Sequence, residues 1–218
     1  MRAQIYDLLL ITLASSLLAA CNTVTVIDKQ KVLDTIDLND KDSIVLLGRR
    51  HSHQHETESD YISCVGTNLS TGNEMINVIP EHQFIDAMYP YFEASTAPMN
   101  IDRLGELVQQ PLILKKFTDY NIRYLIWVEG NTETIDNSGA ISCAGGPAGC
   151  FGFVMWNDEA HYEAKIWDIN QLALSGKIST ETQGTSYLPA VILPIPLLAS
   201  VKADACAGMA TQLKEFLK

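Results

Sequence analysis

Three histidines at alternate positions are the side chains whose type and spacing most directly suggest chemistry. They are His51, His53 and His55. Alternate residues of an extended segment project to the same side, so the three imidazoles can converge on one metal ion. A nearby carboxylate, Glu56, Glu58 or Asp60, could add a ligand or orient a ring. Imidazole ligands suit Zn, Cu or Ni. One hypothesis is therefore a metal-binding site, and the alternative is an exposed loop whose histidines bind nothing.

Enzyme chemistry has no linear signature in the sequence. There is no Gly-x-Ser-x-Gly, no His-Glu-x-x-His and no glycine-rich phosphate loop of the Walker or dinucleotide type. The glycine-rich segment 145–149 lacks a following Lys and is bracketed by cysteines, so we interpret it as a turn. No catalytic residue is assigned, although an enzyme without a linear motif remains an alternative because active sites often leave none.

The first 21 residues indicate export. Arg2 precedes an apolar run over residues 8–17, and small residues then lead to Cys21. A short positive region, an apolar stretch and small residues before a cleavage point are typical of a secretory signal peptide. The 13-residue stretch 8–20 is well short of the ~20 residues that span a bilayer. The sequence therefore predicts a signal peptide over residues 1–20.

Residues 18–21, Leu-Ala-Ala-Cys, resemble the lipobox of bacterial lipoproteins. The resemblance implies cleavage before Cys21, thioether lipidation of that residue and acylation of the new amino terminus. One feature departs from the family pattern, because Asp7 cancels the charge of Arg2. In lipoproteins of two-membrane bacteria, an Asp after the lipidated Cys commonly favours the inner membrane. Asn22 stands there in this chain, so the resemblance implies an outer-membrane lipoprotein that faces the periplasm.

Composition limits the partners that the chain can bind. The 15 Lys+Arg and 26 Asp+Glu give a net charge of −11, and loss of residues 1–20 removes one charge of each sign. We exclude nucleic acid because no basic face is available to displace counterions from phosphates. We also exclude electrostatic adhesion to anionic lipid, so the acyl chains must supply the anchor. The predicted organisation is a lipidated tether over residues 21–42 followed by a single domain over residues 43–218.

The remaining four cysteines fit an oxidising compartment. An even number predicts two disulfides, and four cysteines allow three pairings. Cys143 and Cys150 flank the Gly/Pro turn, which can bring two strand ends to disulfide distance, so we favour that pair. Cys64 and Cys206 then pair by elimination. The alternative is that those two are free and buried, as cysteines often are.

Hydrophobic periodicity predicts alternating strands and helices, then a strand-rich stretch and a closing helix. A polar loop after the first strand leads to a helix capped by Thr57 or Ser59, and Pro111 divides a later helical stretch. The expected strands are 43–48, 76–79, 122–128, 139–144, 150–156, 161–169 and 176–182, with a turn at residues 157–158. One expected helix begins near residue 60, and the others cover 81–92, 101–120 in two parts and 200–217.

This order predicts an α/β (α+β) fold, with one mixed sheet that contains an antiparallel meander and helices packed mainly on one face. Three stretches carry a resemblance: the short first strand 44–48, the helix-to-strand passage 120–130, and residues 164–168 followed by 176–178. Their order is similar to the small α/β module of the curli secretion lipoprotein CsgG and of the N-terminal domain of TolB. The resemblance implies a non-enzymatic envelope module that works by assembly or partner binding.

One apolar run, residues 188–199, contains three prolines and is too short to span a bilayer. Two interpretations compete. It is either a buried extended segment between the sheet and the last helix, or an apolar surface that docks a partner or dips into the membrane interface. The second interpretation assigns the partner contact to Ile192, Leu193, Ile195 and Leu197.

The sequence as a whole favours an envelope lipoprotein that acts by binding or assembly. The membrane is contacted through the lipid, and the partner is another envelope protein or a second copy of the chain. The alternatives are a metal-binding or metal-sensing lipoprotein that uses the three histidines, and an enzyme without a linear motif.

Overall fold

The computed structural model of the chain describes residues 23–32, 38–49, 56–72, 74–93, 96–143, 149–194 and 196–218. Six strands and five helices lie in these ranges. In chain order they are β1 (Thr23–Val32), β2 (Ser43–Gly48), α1 (Ser59–Leu69), β3 (Val78–Ile79), α2 (Glu81–Ala87), α3 (Ile101–Val108), α4 (Pro111–Asp119), β4 (Ile122–Cys143), β5 (Cys150–Asp168), β6 (Ala173–Pro194) and α5 (Val201–Phe216).

The described strands form one mixed sheet in the order β1-β6-β5-β4-β2-β3. β2 is parallel to both neighbours, with Ile44 opposite Val78 of β3 and Leu46 opposite Ile126 of β4. Short connections join β4 to β5 and β5 to β6, so these adjacent strands run antiparallel. The predicted mixed sheet with an antiparallel meander is confirmed.

Burial explains why β2 reads as a continuous apolar run. All six of its residues are buried, as expected for a parallel strand covered on both faces. Pro111 occupies the first turn of α4, and Asn121, with φ 53°, ends that helix before β4 begins. The predicted division of the stretch 101–120 into two helices is confirmed.

Helices contact both faces of the sheet. Trp167 of β5 packs against Gly105 of α3, whereas Tyr162 of the same strand stacks on Tyr61 of α1. These two β5 residues are an odd number of positions apart, so they point to opposite faces. Three helices, α2 to α4, share one core with β2 and β4: Val45, Leu47, Phe84, Met88, Phe92, Leu104, Val108, Ile113, Phe117, Ile122, Leu125, Trp127 and Ile169.

The last three strands are longer than the sequence predicted, and the expected turn at residues 157–158 is wrong. Asn157 and Asp158 lie inside β5. Asn and Asp favour turns because their side chains bond the nearby backbone. Here Asn157 donates from Nδ2 to Asp136 Oδ1 at 2.6 Å, and Thr134 donates from Oγ1 to Asp158 Oδ1 at 2.6 Å. Cross-strand partners therefore replace the local backbone bonds that a turn would use.

Strand β1 lies where the sequence analysis placed a tether. Residues 23–27 read Thr-Val-Thr-Val-Ile, a β-branched run that suits a strand. The charged residues that follow this run do not alternate as a strand would, so residues 21–42 taken together did not predict a strand. Its place beside β6 at the edge of the sheet is a tertiary pairing that the local sequence does not encode.

The chain divides into two compact units. Unit 1 comprises Met1–Val24, Glu133–Glu159 and Thr182–Val201. Unit 2 comprises Thr25–Thr132, Ala160–Glu181 and Lys202–Lys218, and contains the helix-covered core. Strands β4, β5 and β6 each contribute residues to both units. Among the described residues, no helix has the length and apolar character needed to cross a membrane.

Candidate binding surface

Unit 1 contains two long stretches without any charge. Residues 137–157 and 182–201 include no Asp, Glu, Lys, Arg or His. We call the described residues of these two stretches, 137–143, 149–157, 182–194 and 196–201, the uncharged region. The two stretches amount to 41 residues in a chain that is 19% charged, so average composition would place about eight charged residues there. Charge depletion of this extent is a property of interface cores rather than of ordinary exposed strands.

Exposed apolar side chains accompany the missing charges. Phe151, Phe153, Leu193 and Leu198 of the uncharged region are between 44% and 70% exposed, and the nearby Ile135 is 58% exposed. Single exposed apolar residues are normal on a protein surface. Five large ones in one unit that has no basic side chain in its described part make unit 1 the stronger candidate for a binding surface.

Backbone contacts between the strands hold this surface in place. Gly139 has φ +99°, and a Cβ there would lie 2.1 Å from the carbonyl oxygen of Phe153. Only glycine permits β4 to approach β5 so closely in that conformation. The ring of Phe153 in turn lies 5.8 Å from that of Tyr187 in β6. The aromatic side chains are therefore supported from both neighbouring strands.

The chain reverses after β6 and returns along it. Tyr187 and Leu197 exchange two backbone hydrogen bonds of 2.8 and 2.7 Å in an antiparallel bridge. The backbone N–H of Ala199 also donates to Ser186 Oγ at 3.0 Å. The segment after Pro194 is thus tied to β6 rather than to the helix-covered core.

These contacts locate the predicted partner segment. Leu193 is exposed, and Leu197 is half-buried in the bridge to Tyr187. Ile192 belongs to β6, and Ile195 lies outside the described residues. The expectation of a buried segment over residues 188–199 is wrong, because Leu193 and Leu198 face solvent.

A band of polar cross-strand contacts borders the uncharged region. Thr185 donates from Oγ1 to Asn157 Oδ1 at 2.6 Å, and Gln183 donates from Nε2 to Glu159 at 3.2 Å. Asp136 and Asp158 bond across β4 and β5 as described above. All four acidic residues of Glu133–Glu159 lie on this side of the region, namely Glu133, Asp136, Asp158 and Glu159. The boundary between polar and apolar surface is therefore sharp.

A second candidate site is a polar concavity of about 390 Å³ in unit 2, between α1 and the start of α2. Hydroxyls of α1 line it, but Ser63 donates to the Ser59 carbonyl at 2.9 Å and Thr67 donates to the Ser63 carbonyl at 2.8 Å. Across from them, Glu81 Oε1 accepts a 3.0 Å hydrogen bond from the Gly48 N–H at the end of β2. These polar groups have structural partners, so the concavity is the weaker candidate.

A buried tyrosine pair stabilises the chain at Glu58, directly before α1. The rings of Tyr61 and Tyr162 stack at 3.5 Å, and the Tyr162 hydroxyl donates to Glu58 Oε2 at 2.9 Å. The Thr132 N–H donates to the other oxygen of Glu58 at 3.0 Å. Burial raises the pKa of both tyrosine hydroxyls well above the ordinary 10.0, so both are protonated at neutral pH. The cluster is a structural network.

The three predicted metal ligands, His51, His53 and His55, lie outside the described residues. Among the described residues on either side of them, the Thr57 N–H donates to the Arg49 carbonyl at 3.0 Å. Within the part of the chain that the structure describes, no group of three or more His, Cys, Asp and Glu side chains is arranged to hold a metal ion.

Both predicted cysteine pairs lie at disulfide distance. The Sγ atoms of Cys64 and Cys206 are 1.94 Å apart and join α1 to α5. Those of Cys143 and Cys150 are 2.03 Å apart and join β4 to β5 within unit 1. The alternative of free, buried Cys64 and Cys206 is therefore wrong.

The predicted lipid attachment site, Cys21, lies outside the described residues, but the chain after it is placed. β1 begins at Thr23, and Thr23 and Val24 belong to unit 1. Sequence reasoning missed the uncharged region even though both charge-free stretches are visible in the sequence. They are about 25 residues apart in the chain, and only the pairing of β5 with β6 brings them together.

Comparison with known proteins gives no family. No protein-family model matches the chain, and no curated protein matches it. Two similar solved structures are dodecamers of PelC from Paraburkholderia phytofirmans, one of a single-substitution variant and one without that substitution. They share 10% and 11% identity with the chain, with TM-scores of 0.40 and 0.39; each alignment covers 89% of this chain and 99% or 98% of PelC. Similarity at these values does not establish a shared fold or function.

Proposed function

We propose that the chain is an outer-membrane lipoprotein that faces the periplasm, is anchored through Cys21 and acts as a non-enzymatic binding or assembly module. The uncharged region of unit 1 is its contact surface. The observation that carries this proposal is the combination of 41 uncharged residues with exposed Phe151, Phe153, Leu193 and Leu198 in a chain of net charge −11.

Binding through this region would gain free energy because apolar side chains leave water without any charge losing its hydration. Removing apolar surface from water contributes about 25 cal/mol per Å². An unpaired charge in the same contact would oppose this gain, because it must lose its hydration. The absence of charge from residues 137–157 and 182–201 removes that opposing cost over the entire surface.

Preorganisation also favours binding through this surface. The Cys143–Cys150 disulfide and the Tyr187–Leu197 bridge restrain the strand ends that carry the exposed side chains. A surface that is already ordered loses less conformational entropy when a partner docks. The two disulfides further support export, because such bonds persist in oxidising compartments.

In-cell photo-crosslinking tests the contact surface. A photoreactive residue is placed at Leu193 in unit 1 or, as the matched control, at Leu112 in α4; both side chains are 70% exposed. We expect crosslinks from position 193, to lipid or to protein, that are absent from position 112. Equal crosslinking from both positions, or none from 193, would show that the uncharged region is not the contact surface.

The anchor requires a separate test. Mass spectrometry of the N-terminal peptide from membrane-extracted protein should show a chain that begins at Cys21 and carries acyl groups. The Cys21→Ser variant should keep residues 1–20 and acquire no acyl label. A wild-type protein that retains residues 1–20 would rule out the lipid anchor.

A further inference from the structure

We propose that the uncharged region docks into the headgroup–acyl boundary of the membrane that holds the lipid anchor. The contact is a second, non-covalent attachment made by Phe151, Phe153 and Leu193, with Ile135 at its border. This inference rests on the proposed lipidation of Cys21, and it names the bilayer as the occupant of the proposed contact surface.

The chain between the proposed anchor and unit 1 is very short. Only Asn22 separates Cys21 from Thr23, the first residue of β1. An extended chain advances at most ~3.3–3.6 Å per residue, so Cys21 lies within about 7 Å of the start of β1. Since Thr23 and Val24 belong to unit 1, acyl chains on Cys21 hold unit 1 at the membrane surface.

The side chains of this surface have the chemistry of a membrane interface. Segments that lie in the interface bury their apolar side chains ~5–10 Å into the boundary between headgroups and acyl chains. Phe151 and Phe153 suit that depth. Tyr187, whose ring lies beside that of Phe153 and carries a hydroxyl, suits the headgroup level. The hydrogen-bonded carboxylates Asp136 and Asp158 lie at the border of the uncharged region.

The charge of the chain determines which kind of lipid contact is possible. Peripheral proteins that bind anionic lipid do so with Lys and Arg, which the uncharged region lacks entirely. The net charge of −11 repels an anionic surface. The contact must therefore be apolar and independent of negative lipid headgroups. A protein partner on the same surface would have to fit between unit 1 and the bilayer that the adjacent anchor enters.

Vesicle flotation of the unlipidated chain tests the contact directly. Residues 21–218 with Cys21→Ser are mixed with pure phosphatidylcholine vesicles. We expect the protein to float with the lipid, and Phe151→Ser/Phe153→Ser to weaken partitioning by about tenfold or more, because two exposed rings are lost. The control Leu112→Ser/Tyr120→Ser removes two exposed apolar side chains of unit 2 and should leave partitioning unchanged.

A second variant distinguishes the loss of membrane contact from a disturbance of the fold. Phe153 contacts Tyr187, so its replacement could disturb β6. Ile135→Ser/Leu193→Ser removes two other exposed side chains of unit 1, and it should weaken flotation in the same way at an unchanged melting temperature.

Three outcomes would overturn the inference. One is no flotation at any lipid concentration, and another is flotation only with vesicles that contain phosphatidylglycerol. The third is a self-associated chain that Phe151→Ser/Phe153→Ser dissociates while vesicles bind nothing. That third result would assign the surface to a second copy of the chain, and it would leave the proposed assembly function and the lipid at Cys21 intact.

Discussion

The ion pair between Arg123 and Asp168 is the most buried charge contact among the described residues. Asp168 is 1% exposed, and its Oδ2 lies 2.8 Å from a guanidinium nitrogen of Arg123. Its other oxygen accepts backbone hydrogen bonds from Asn170 at 2.7 Å and Gln171 at 3.0 Å. One carboxylate thus neutralises a cation of β4 and also closes the turn after β5.

Asp168→Asn should lower the free energy of unfolding by about 3 kcal/mol, because it leaves the guanidinium buried without its counter-charge. Asp119→Asn is the matched control, since Asp119 pairs with Lys115 on the exposed face of α4. Exposed pairs of this kind contribute about 0.3–0.5 kcal/mol. Urea denaturation measures both changes. Equal losses in the two variants would contradict the structural role of the buried pair.

The stacked tyrosines predict a loss of stability in alkali. Desolvation by burial raises the pKa of Tyr61 and Tyr162 in the folded chain above the unfolded value of 10.0. Below pH 10 both hydroxyls are protonated in both states. Above pH 10 the unfolded chain releases these protons and the folded chain keeps them, so the free energy of unfolding falls as pH rises.

Tyr61→Phe should make this alkaline decline shallower, because it removes one of the two perturbed hydroxyls. The measurement is the free energy of unfolding in denaturant between about pH 8 and 11. Tyr120→Phe, at an exposed position, is the control for the loss of an ordinary hydroxyl. An alkaline slope that Tyr61→Phe leaves as steep as in the wild type would disprove the assignment.

At the scale of elements, the pairing of β4 with β5 depends on glycine where the strands approach closely. Gly130 has φ +130°, and a Cβ there would lie 2.0 Å from the His161 carbonyl oxygen and 2.7 Å from the Tyr162 Cα. Both neighbours are backbone or backbone-attached atoms, so they cannot move without shifting β5. The close approach therefore needs a residue without a side chain.

Gly130→Ala should cost about 2 kcal/mol or more, because strain in the left-handed region adds to the clash. Gly66→Ala in α1 should instead stabilise the chain by about 0.5–1 kcal/mol. Its new Cβ would meet Val78 at an ordinary 3.7 Å, and helix propensity favours Ala over Gly. Thermal unfolding of the two variants should show shifts of opposite sign. A harmless Gly130→Ala would mean that β4 and β5 can separate locally.

At the scale of the whole molecule, the two disulfides differ in the length of chain that they close. Cys64–Cys206 spans 142 residues, and Cys143–Cys150 spans 7. A cross-link that closes a longer loop removes more conformational entropy from the unfolded chain, with a logarithmic dependence on length. The longer loop should therefore contribute the greater stabilisation.

Cys64→Ala/Cys206→Ala should cost roughly 2.5 kcal/mol more than Cys143→Ala/Cys150→Ala by this entropic argument. Denaturant unfolding under non-reducing conditions measures both losses. The shorter link should matter more for the surface of unit 1, so its removal should weaken vesicle flotation at a smaller cost in global stability than removal of the longer link. A larger stability loss from the shorter link would show that contacts within unit 1 dominate.

The sequence by itself determined the elements whose local signals agree with their packing. Residues 43–48 are uniformly apolar because β2 is buried on both faces, and Pro111 separates α3 from α4 because proline cannot occupy a helix interior. The Cys143–Cys150 pair followed from a Gly/Pro turn between strand-like runs. These features depend on interactions between near neighbours in the chain.

Only the tertiary structure decided the length of β4 to β6, the pairing of β1 and the surface of unit 1. Asn157 and Asp158 signal a turn locally, but bonds to Asp136, Thr134 and Thr185 keep them in a strand. The exposure of Leu193 likewise depends on what packs beside it in the folded chain, not on its own apolar side chain. The physical reason is the same in each case: the deciding partner lies on another strand, and no local pattern specifies which strand that is.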